Sequence, residues 1–222
     1  MPRLILPALG VALMLIGTFL HPMHADPAVP AGAFAEYAQD RFWLAAHLVQ
    51  FLGVAVLLIC VLQLTGRLPR DGLVTALRAG TGTSLALAAA LQAVDGVALK
   101  QMVDLWAAAD PPEKDALLAA ATAVRAVEIG FAAMFGMVLG LSLALLGVVL
   151  MRFPVGKPIL GILGILGILG TLGVVGGLTA AVGGVLTGLY GFAPAPMLLN
   201  MAASLFLLGW YLIVVWQSPP QL

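Results

Sequence analysis

The chain has 222 residues, of which 62% are hydrophobic and only 9% are charged. A soluble domain carries about 25% charged residues, so this chain has too few to cover a water-facing surface, and its composition predicts an integral membrane protein. Ten Lys and Arg balance ten Asp and Glu, which gives no support for a nucleic-acid partner, and the single cysteine excludes an intramolecular disulfide framework.

Six apolar runs follow one another along the chain, each near or above the roughly 20 residues that a helix needs to cross the hydrocarbon of a bilayer. None alternates with period two, so we expect helices and not the strands of a barrel. The first run also suits a secretory signal, but it continues into a membrane-length pattern, and we expect a retained span. We predict one all-α transmembrane domain over residues 1–222, a polytopic helix bundle with six spans at about 3–20, 42–64, 76–99, 126–151, 158–190 and 196–216.

The placement of basic residues predicts the orientation of the bundle, because cytoplasmic loops are enriched in Lys and Arg. With the N-terminus inside, the inner side holds Arg3, Arg67, Arg70, Arg78, Arg152 and Lys157. The outer side then holds Arg41, Lys100, Lys114 and Arg125. This excess predicts that both termini are cytoplasmic.

The connection between the third and fourth spans has helical signals of its own. In ADPPEK, Asp110 suits an N-cap, Pro111 the first turn and Glu113 the third position. A helix from there to Met151 would rise about 60 Å, twice the hydrocarbon thickness. We therefore predict an extracytoplasmic helical hairpin over about 100–125. Three aromatic residues are expected at the outer interface: Trp43, Trp106 and Tyr190.

Glycines recur at every third residue in the fifth apolar run, PILGILGILGILGTLGVVGG. Later the spacing changes, and two stripes of small residues follow the helix at four-residue intervals, a pattern that allows close helix packing in lipid. The packing candidates are Gly173, Gly177, Ala181, Gly184 and Gly188. We expect this helix to pack tightly or to face other membrane subunits, while a hinge or broken transporter helix is the alternative.

Titratable residues on four spans reach similar heights when they are measured from the inner boundary at 1.5 Å per residue. His21, His47, Asp95 and Glu128 lie about 26–36 Å above it, near the outer edge of the hydrocarbon. They either mark that boundary or line a polar pocket that opens outward and binds a small molecule or lipid. The pocket candidates are His47, Gln92, Asp95, Arg125 and Glu128.

The segment HPMHAD offers a second kind of site. Its imidazole, thioether and carboxylate groups suit copper or zinc, although the spacing matches no tight signature. The candidate metal ligands are His21, Met23, His24 and Asp26. Haem b would need His47 to face a second axial ligand, which only His21 or His24 can supply.

Several short motifs together are similar to those of a class of bacterial six-helix integral membrane proteins of unknown function. They are HP at residues 21–22, WLAAH at 43–47, AVDGVALK at 93–100 and VRAVEIGF at 124–131, followed by a glycine-rich fifth helix. The resemblance covers most of the chain. It implies a six-helix bundle in the bacterial inner membrane, brings no established reaction or cofactor, and points to His47, Asp95 and Glu128.

No catalytic motif accompanies these features, since the chain has neither a nucleophile elbow nor an HExxH sequence. We therefore expect a non-enzymatic binding or accessory subunit whose ligand pocket lies at the outer membrane face. One alternative is a proton-coupled small-molecule transporter that uses Asp95 and Glu128, although the inner half offers few polar groups for a path. The other is a metal-binding or haem-binding membrane protein that uses His21, His24 and His47.

Overall fold

The computed structural model describes residues 4–22, 24–66, 68–153 and 162–217. Within these ranges the secondary structure is helical and no strand occurs, so the all-α prediction is confirmed for them. The elements are α1 (Ile5–Leu20), α2 (Pro30–Gln39), α3 (Trp43–Thr65), α4 (Gly72–Gln92), a π-helix (Ala93–Leu99), α5 (Lys100–Ala108), α6 (Pro111–Arg152), α7 (Ile162–Tyr190) and α8 (Pro194–Gln217).

Five stretches are long and apolar enough to cross a membrane, as expected of a multi-pass membrane protein. They are Trp43–Thr65, Gly72–Ala108, Pro111–Arg152, Gly167–Tyr190 and Pro194–Trp216. The helix in the first predicted run, α1, has only 16 residues and rises about 24 Å, less than the hydrocarbon thickness. The described part of the chain therefore has five membrane-length helices and a shorter apolar one, where the sequence predicts six spans.

Two helices extend far beyond a bilayer and meet at one end of the bundle. Gly72–Ala108 has 37 residues and α6 has 42, or about 55 Å and 63 Å at 1.5 Å per residue. They join at Ala109–Asp110, and we call this the hairpin end. Asp110 holds the N-cap position of α6, but its side chain makes no capping hydrogen bond, so the helix start depends on the fixed φ of Pro111.

Glycines bring α6 and α7 into close backbone contact. A Cβ atom on Gly140 would lie 2.6 Å from the Gly177 carbonyl oxygen, and one on Gly136 would lie 3.1 Å from the Gly184 Cα. Helices in lipid use such small residues because van der Waals packing, and not hydrophobic burial, holds them together. On the other side of α7, Trp210 of α8 donates its indole N–H to the Leu169 carbonyl oxygen at 2.7 Å. The glycine-rich helix thus packs against two helices of the same chain.

Apolar residues from several helices form two clusters. One joins α3, α4, α6, α7 and α8 at the end far from the hairpin, around Leu77, Leu146 and Trp210. The other lies at the hairpin end, where Phe34 of the short helix α2 packs with Trp43 and Leu99. The second cluster forms the apolar surroundings of the polar groups described next.

Candidate metal centre

Three chain segments bring two imidazoles and a carboxylate together near the hairpin end. His21 follows the last residue of α1, His47 lies one turn into α3, and Asp95 lies in the π-helix. One ligand atom from each of these residues lies within 4.8 Å of the other two. Two imidazole nitrogens and one carboxylate oxygen form a donor set that suits divalent transition metals.

The π-helix and α3 approach each other closely enough to place Asp95 beside His47. Trp43, at the start of α3, donates its indole N–H to the Asp95 carbonyl oxygen at 3.2 Å. Gly96 allows the approach, because a Cβ atom there would lie only 2.8 Å from the His47 Cβ. A π-helical turn contains one residue more than an α-helical turn and is often found at functional sites.

Both imidazoles are oriented by hydrogen bonds to backbone carbonyl groups. The Nδ1 atom of His47 lies 2.7 Å from the Trp43 carbonyl oxygen, and that of His21 lies 2.8 Å from the Pro22 carbonyl oxygen. A carbonyl oxygen only accepts, so each Nδ1 carries the hydrogen. In a neutral imidazole the lone pair is then on Nε2, the arrangement found in metal-binding histidines.

The contact between His47 and Asp95 is close, but Nε2 makes no hydrogen bond there. His47 Nε2 lies 3.0 Å from Asp95 Oδ2, and the His47 side chain is only 2% exposed. With the hydrogen on Nδ1, both Nε2 and the carboxylate oxygen are acceptors, and Nε2 has no hydrogen-bond partner among the described residues. A metal ion bound on the Nε2 lone pair, about 2 Å from the nitrogen, can bind a carboxylate oxygen as well.

Aromatic rings shield this His21–His47–Asp95 cluster from solvent. The Trp43 ring centroid lies 4.8 Å from that of His21, 4.5 Å from that of His47 and 4.4 Å from that of Tyr37. Burial lowers the pKa of His21 below its usual 6.5, because desolvation disfavours the imidazolium, although the charge of Asp95 acts in the opposite direction. Burial likewise raises the pKa of Tyr37 above its usual 10.

The helix α2 and the loop before it cover the cluster and are tied down by charged side chains. The Glu36 carboxylate accepts hydrogen bonds from the backbone N–H groups of His24 and Ala25, at 3.0 Å and 2.8 Å. Lys100 donates to the Ala38 carbonyl oxygen at 3.1 Å, in the last turn of α2, and to Asp104 at 2.6 Å. Cations favour the negative end of a helix, so Lys100 helps to hold α2 in place.

Arg125 and Glu128 of α6 lie in the same region but do not pair with each other among the described residues. Arg125 donates to the Tyr37 hydroxyl at 3.1 Å and to the Pro27 carbonyl oxygen at 3.3 Å, while its guanidinium lies over the ring of Phe192. Glu128 is 3% exposed, and its Oε2 atom has no hydrogen-bond partner in the described part of the chain. Arg125 therefore holds α2 and the loop before it in place, and Glu128 is a buried carboxylate whose Oε2 atom is unpartnered within the described ranges.

Gln92 belongs to a separate polar chain. Its amide donates to the Gln50 side-chain oxygen at 3.2 Å, and the Gln50 amide donates to the Thr18 hydroxyl at 3.2 Å. The structure thus brings His47 and Asp95 into contact, puts Arg125 and Glu128 nearby, and links Gln92 to other helices.

The predicted ligands in HPMHAD do not gather as a set in the described residues. His24 is exposed, and the Asp26 carboxylate accepts a hydrogen bond from the Ala28 backbone N–H at 2.9 Å. Met23 lies outside the described residues. Among the residues of this segment that the structure describes, only His21 contributes to the His21–His47–Asp95 cluster. Haem gains no support either, because the rings of Tyr37 and Trp43 pack beside the two imidazoles, where the macrocycle would have to lie.

The small residues predicted for helix packing contact other helices of this chain. Cβ atoms on Gly177 and Gly184 would meet the α6 backbone, one on Gly188 would lie 3.3 Å from the Ala133 Cβ, and one on Gly173 would meet the Trp210 ring. Ala181 faces Gly140 of α6. Both stripes of small residues thus contact α6 or α8 of the same chain.

Sequence reasoning missed the cover helix α2, the roles of Phe34 and Tyr37, and the π-helix. It also placed Trp43 and Trp106 at the lipid interface, whereas both rings are buried, and only Tyr190 is largely exposed. The spacing of Trp43 and His47 was one available signal, since residues four apart share a helix face. The π-helix has no comparable signal in AVDGVAL.

Comparison with protein-family models, with curated proteins and with solved structures finds no match to this chain. The resemblance to bacterial six-helix membrane proteins therefore stays a prediction.

Proposed function

We propose that this chain is a multi-pass membrane protein that binds a divalent transition-metal ion through His21, His47 and Asp95. The observation that carries the proposal is the buried His47 Nε2, which lies 3.0 Å from a carboxylate oxygen and has no hydrogen-bond partner among the described residues. If Nε2 carries a lone pair, two acceptors face each other, and a shared cation removes the repulsion between them. The second imidazole supplies a third ligand for that cation.

The donor set and its surroundings favour a zinc-like ion. Nitrogen and oxygen ligands of borderline softness suit Zn²⁺, and three protein ligands leave a fourth position for water or a ligand. The hydrogen bonds from Nδ1 to carbonyl oxygens are the second-shell contacts that orient ligating imidazoles. The role that follows is metal binding by a binding or accessory subunit.

Metal titration of the detergent-purified chain tests this proposal directly. Wild type is expected to bind one Zn²⁺ per chain, and Co²⁺ in its place should give the visible bands of a site with nitrogen and oxygen ligands. His47→Gln and Asp95→Asn are expected to weaken binding by at least about 10-fold, because each removes a ligand. His21→Gln provides a third variant at the less buried edge of the cluster, should the others unfold.

His24→Gln is the matched control, because His24 is exposed and contacts Glu36 through its backbone, not through its ring. It should bind Zn²⁺ as wild type does. If folded His47→Gln and Asp95→Asn keep full affinity, or if His24→Gln alone loses it, the assignment of the ligands is wrong.

The proposed topology has six spans, with α1 as the first, both termini in the cytoplasm and the hairpin end outside, in the bacterial inner membrane. The basic residues near the opposite end support it, and Arg152 pairs there with Asp71 at 3.3 Å. The test uses a Cys60→Ala background with a new cysteine at Lys114, in intact spheroplasts. A membrane-impermeant maleimide should label that cysteine, and labelling only after lysis would reverse the orientation.

Proton-coupled transport through Asp95 and Glu128 is the second candidate, favoured by the Glu128 carboxylate oxygen that has no hydrogen-bond partner in the described residues. Against it, the buried hydroxyls of Thr81, Ser84 and Ser142 donate to carbonyl oxygens of their own helices and so do not form a path across the bundle. Proteoliposomes with an internal pH dye separate the candidates. Transport requires a proton flux that Glu128→Gln abolishes, whereas metal binding without transport requires none.

A further inference from the structure

A second site is built into the bundle below the polar groups. A cavity of about 280 Å³ lies between α3, α6 and α8, near the lower limit of about 300 Å³ for small-molecule pockets. Its walls are largely aliphatic, with Leu57, Leu139 and Leu208 facing it from the three helices. Of its lining residues Ser204 is exposed and Leu91 is half-buried, so the cavity is accessible from the surface of the bundle.

One end of this cavity holds an unused hydrogen-bond donor. Tyr211 lines the cavity and is only 5% exposed, yet its hydroxyl has no hydrogen-bond partner among the described residues. A buried hydroxyl that makes no hydrogen bond destabilises the fold, because the hydrogen bonds it loses with water are not replaced. The side chains of the same apolar cluster, such as Cys60 and Val61, supply no strong acceptor.

Water is a poor candidate for this acceptor. A buried water needs two to four polar partners, and the cavity walls around Tyr211 are hydrocarbon. Of the other polar lining groups, Thr187 and Asn200 bond to each other at 2.9 Å, and the exposed Ser204 lies seven residues, or about 10 Å along the helix, from Tyr211. Asn200 lies eleven residues from Tyr211 on α8, or about 16 Å along the helix. The acceptor therefore has to arrive on a molecule that is itself apolar.

We infer that the cavity binds a lipid-soluble carbonyl compound, such as a quinone, with a carbonyl oxygen accepting from the Tyr211 hydroxyl. The aliphatic walls hold the apolar body, and the exposed rim admits the molecule from the hydrocarbon of the bilayer. The inference stands on the cavity and Tyr211, independently of the metal proposal.

Thermal unfolding of the detergent-purified chain with increasing decylubiquinone tests the inference. The compound should raise the unfolding temperature of wild type with saturation. Tyr211→Phe should bind about three- to tenfold more weakly, which is the net worth of one hydrogen bond. Tyr190→Phe is the matched control, since Tyr190 is 66% exposed and lies outside the cavity. It should behave as wild type does.

Leu139→Trp fills the cavity while keeping the Tyr211 hydroxyl, and it should abolish the saturable rise of the unfolding temperature with decylubiquinone. This second variant keeps the inference testable if Tyr211→Phe does not fold. Decylbenzene, which has a ring and a chain but no carbonyl group, separates recognition from simple filling. Equal stabilisation by decylbenzene and decylubiquinone, or unchanged affinity in both folded variants, would overturn the inference. Zn²⁺ binding should remain intact in Tyr211→Phe, so a failure here is distinguishable from a failure of the metal site.

Discussion

The contact of Gly96 with His47 allows the geometry of the metal proposal to be tested without removing a ligand. In Gly96→Ala the new Cβ would lie 2.8 Å from the His47 Cβ and 3.1 Å from its Cγ. Carbon atoms prefer separations of about 3.5–4.0 Å, so the imidazole has to retreat from the π-helix by about 1 Å. Asp95 is the neighbouring residue, so its distance from His47 changes with that shift.

A displacement of about 1 Å is large for a metal site, where ligand distances hold within about 0.2 Å. We expect Zn²⁺ affinity to fall about 10- to 100-fold, the range found when second-shell contacts are lost. Overpacking should also cost about 1–3 kcal/mol of stability. Chelator-competition titration measures the affinity, and thermal unfolding in the same detergent measures the stability.

Gly82→Ala is the matched control, since Gly82 lies earlier in α4 and a Cβ atom there meets nothing within 4 Å. It should keep wild-type affinity and gain up to about 1 kcal/mol from helix propensity. A folded Gly96→Ala protein that binds Zn²⁺ as tightly as Gly82→Ala would refute the reasoning, because the ion would then not depend on the spacing of His47 and Asp95.

Three further predictions concern packing and protonation. Gly177→Val should lower the unfolding temperature by overpacking the α6 backbone, at a cost of about 1–3 kcal/mol. Gly130→Val should be tolerated, because a Cβ atom there meets nothing within 4 Å. Equal losses of stability in the two variants would contradict the assigned interface. Asn200→Ala should lower the free energy of unfolding by about 0.6–1.7 kcal/mol, because it removes the hydrogen bond to Thr187. Thr179→Ala is the control, since the exposed Thr179 hydroxyl donates to a carbonyl oxygen of its own helix. The pKa of Tyr37 is raised in the folded chain, so the stability that its neutral phenol contributes is present below pH 10 and is lost as the pH rises further. Tyr37→Phe should therefore reduce the fall of the unfolding temperature with pH above 10. An unchanged dependence on pH would place Tyr37 in solvent.

The long helices could be predicted from the sequence alone, because the bilayer imposes a constraint along one dimension. The predicted run 42–64 coincides with α3 at Trp43–Thr65, and 196–216 falls within α8 at Pro194–Gln217. Apolar composition over enough residues is all that such a prediction needs. The cover helix α2 escaped it, because ten residues with a mixed composition carry no membrane signal.

Height along a helix could also be read from residue number, because the rise per residue is constant. Counting placed His21, His47 and Asp95 at similar heights, and the structure brings their ligand atoms within 4.8 Å of one another. It could not say which residues would touch, since contact also depends on how each helix is rotated. The π-helix changes that rotation at Asp95 without any signal in the sequence.

The sequence by itself thus determined that lipid surrounds this chain, that the chain is helical, and at what height along the helices its ionisable groups lie. Each of these follows from composition and spacing along one segment. Only the tertiary structure decided the partners of those groups. Arg125 bonds to Tyr37 instead of its helix neighbour Glu128, and the glycines of α7 face α6 and α8 of the same chain. The physical reason is that hydrogen bonds and close packing require atoms within a few ångströms, and distances between segments far apart in sequence arise only when the helices pack together.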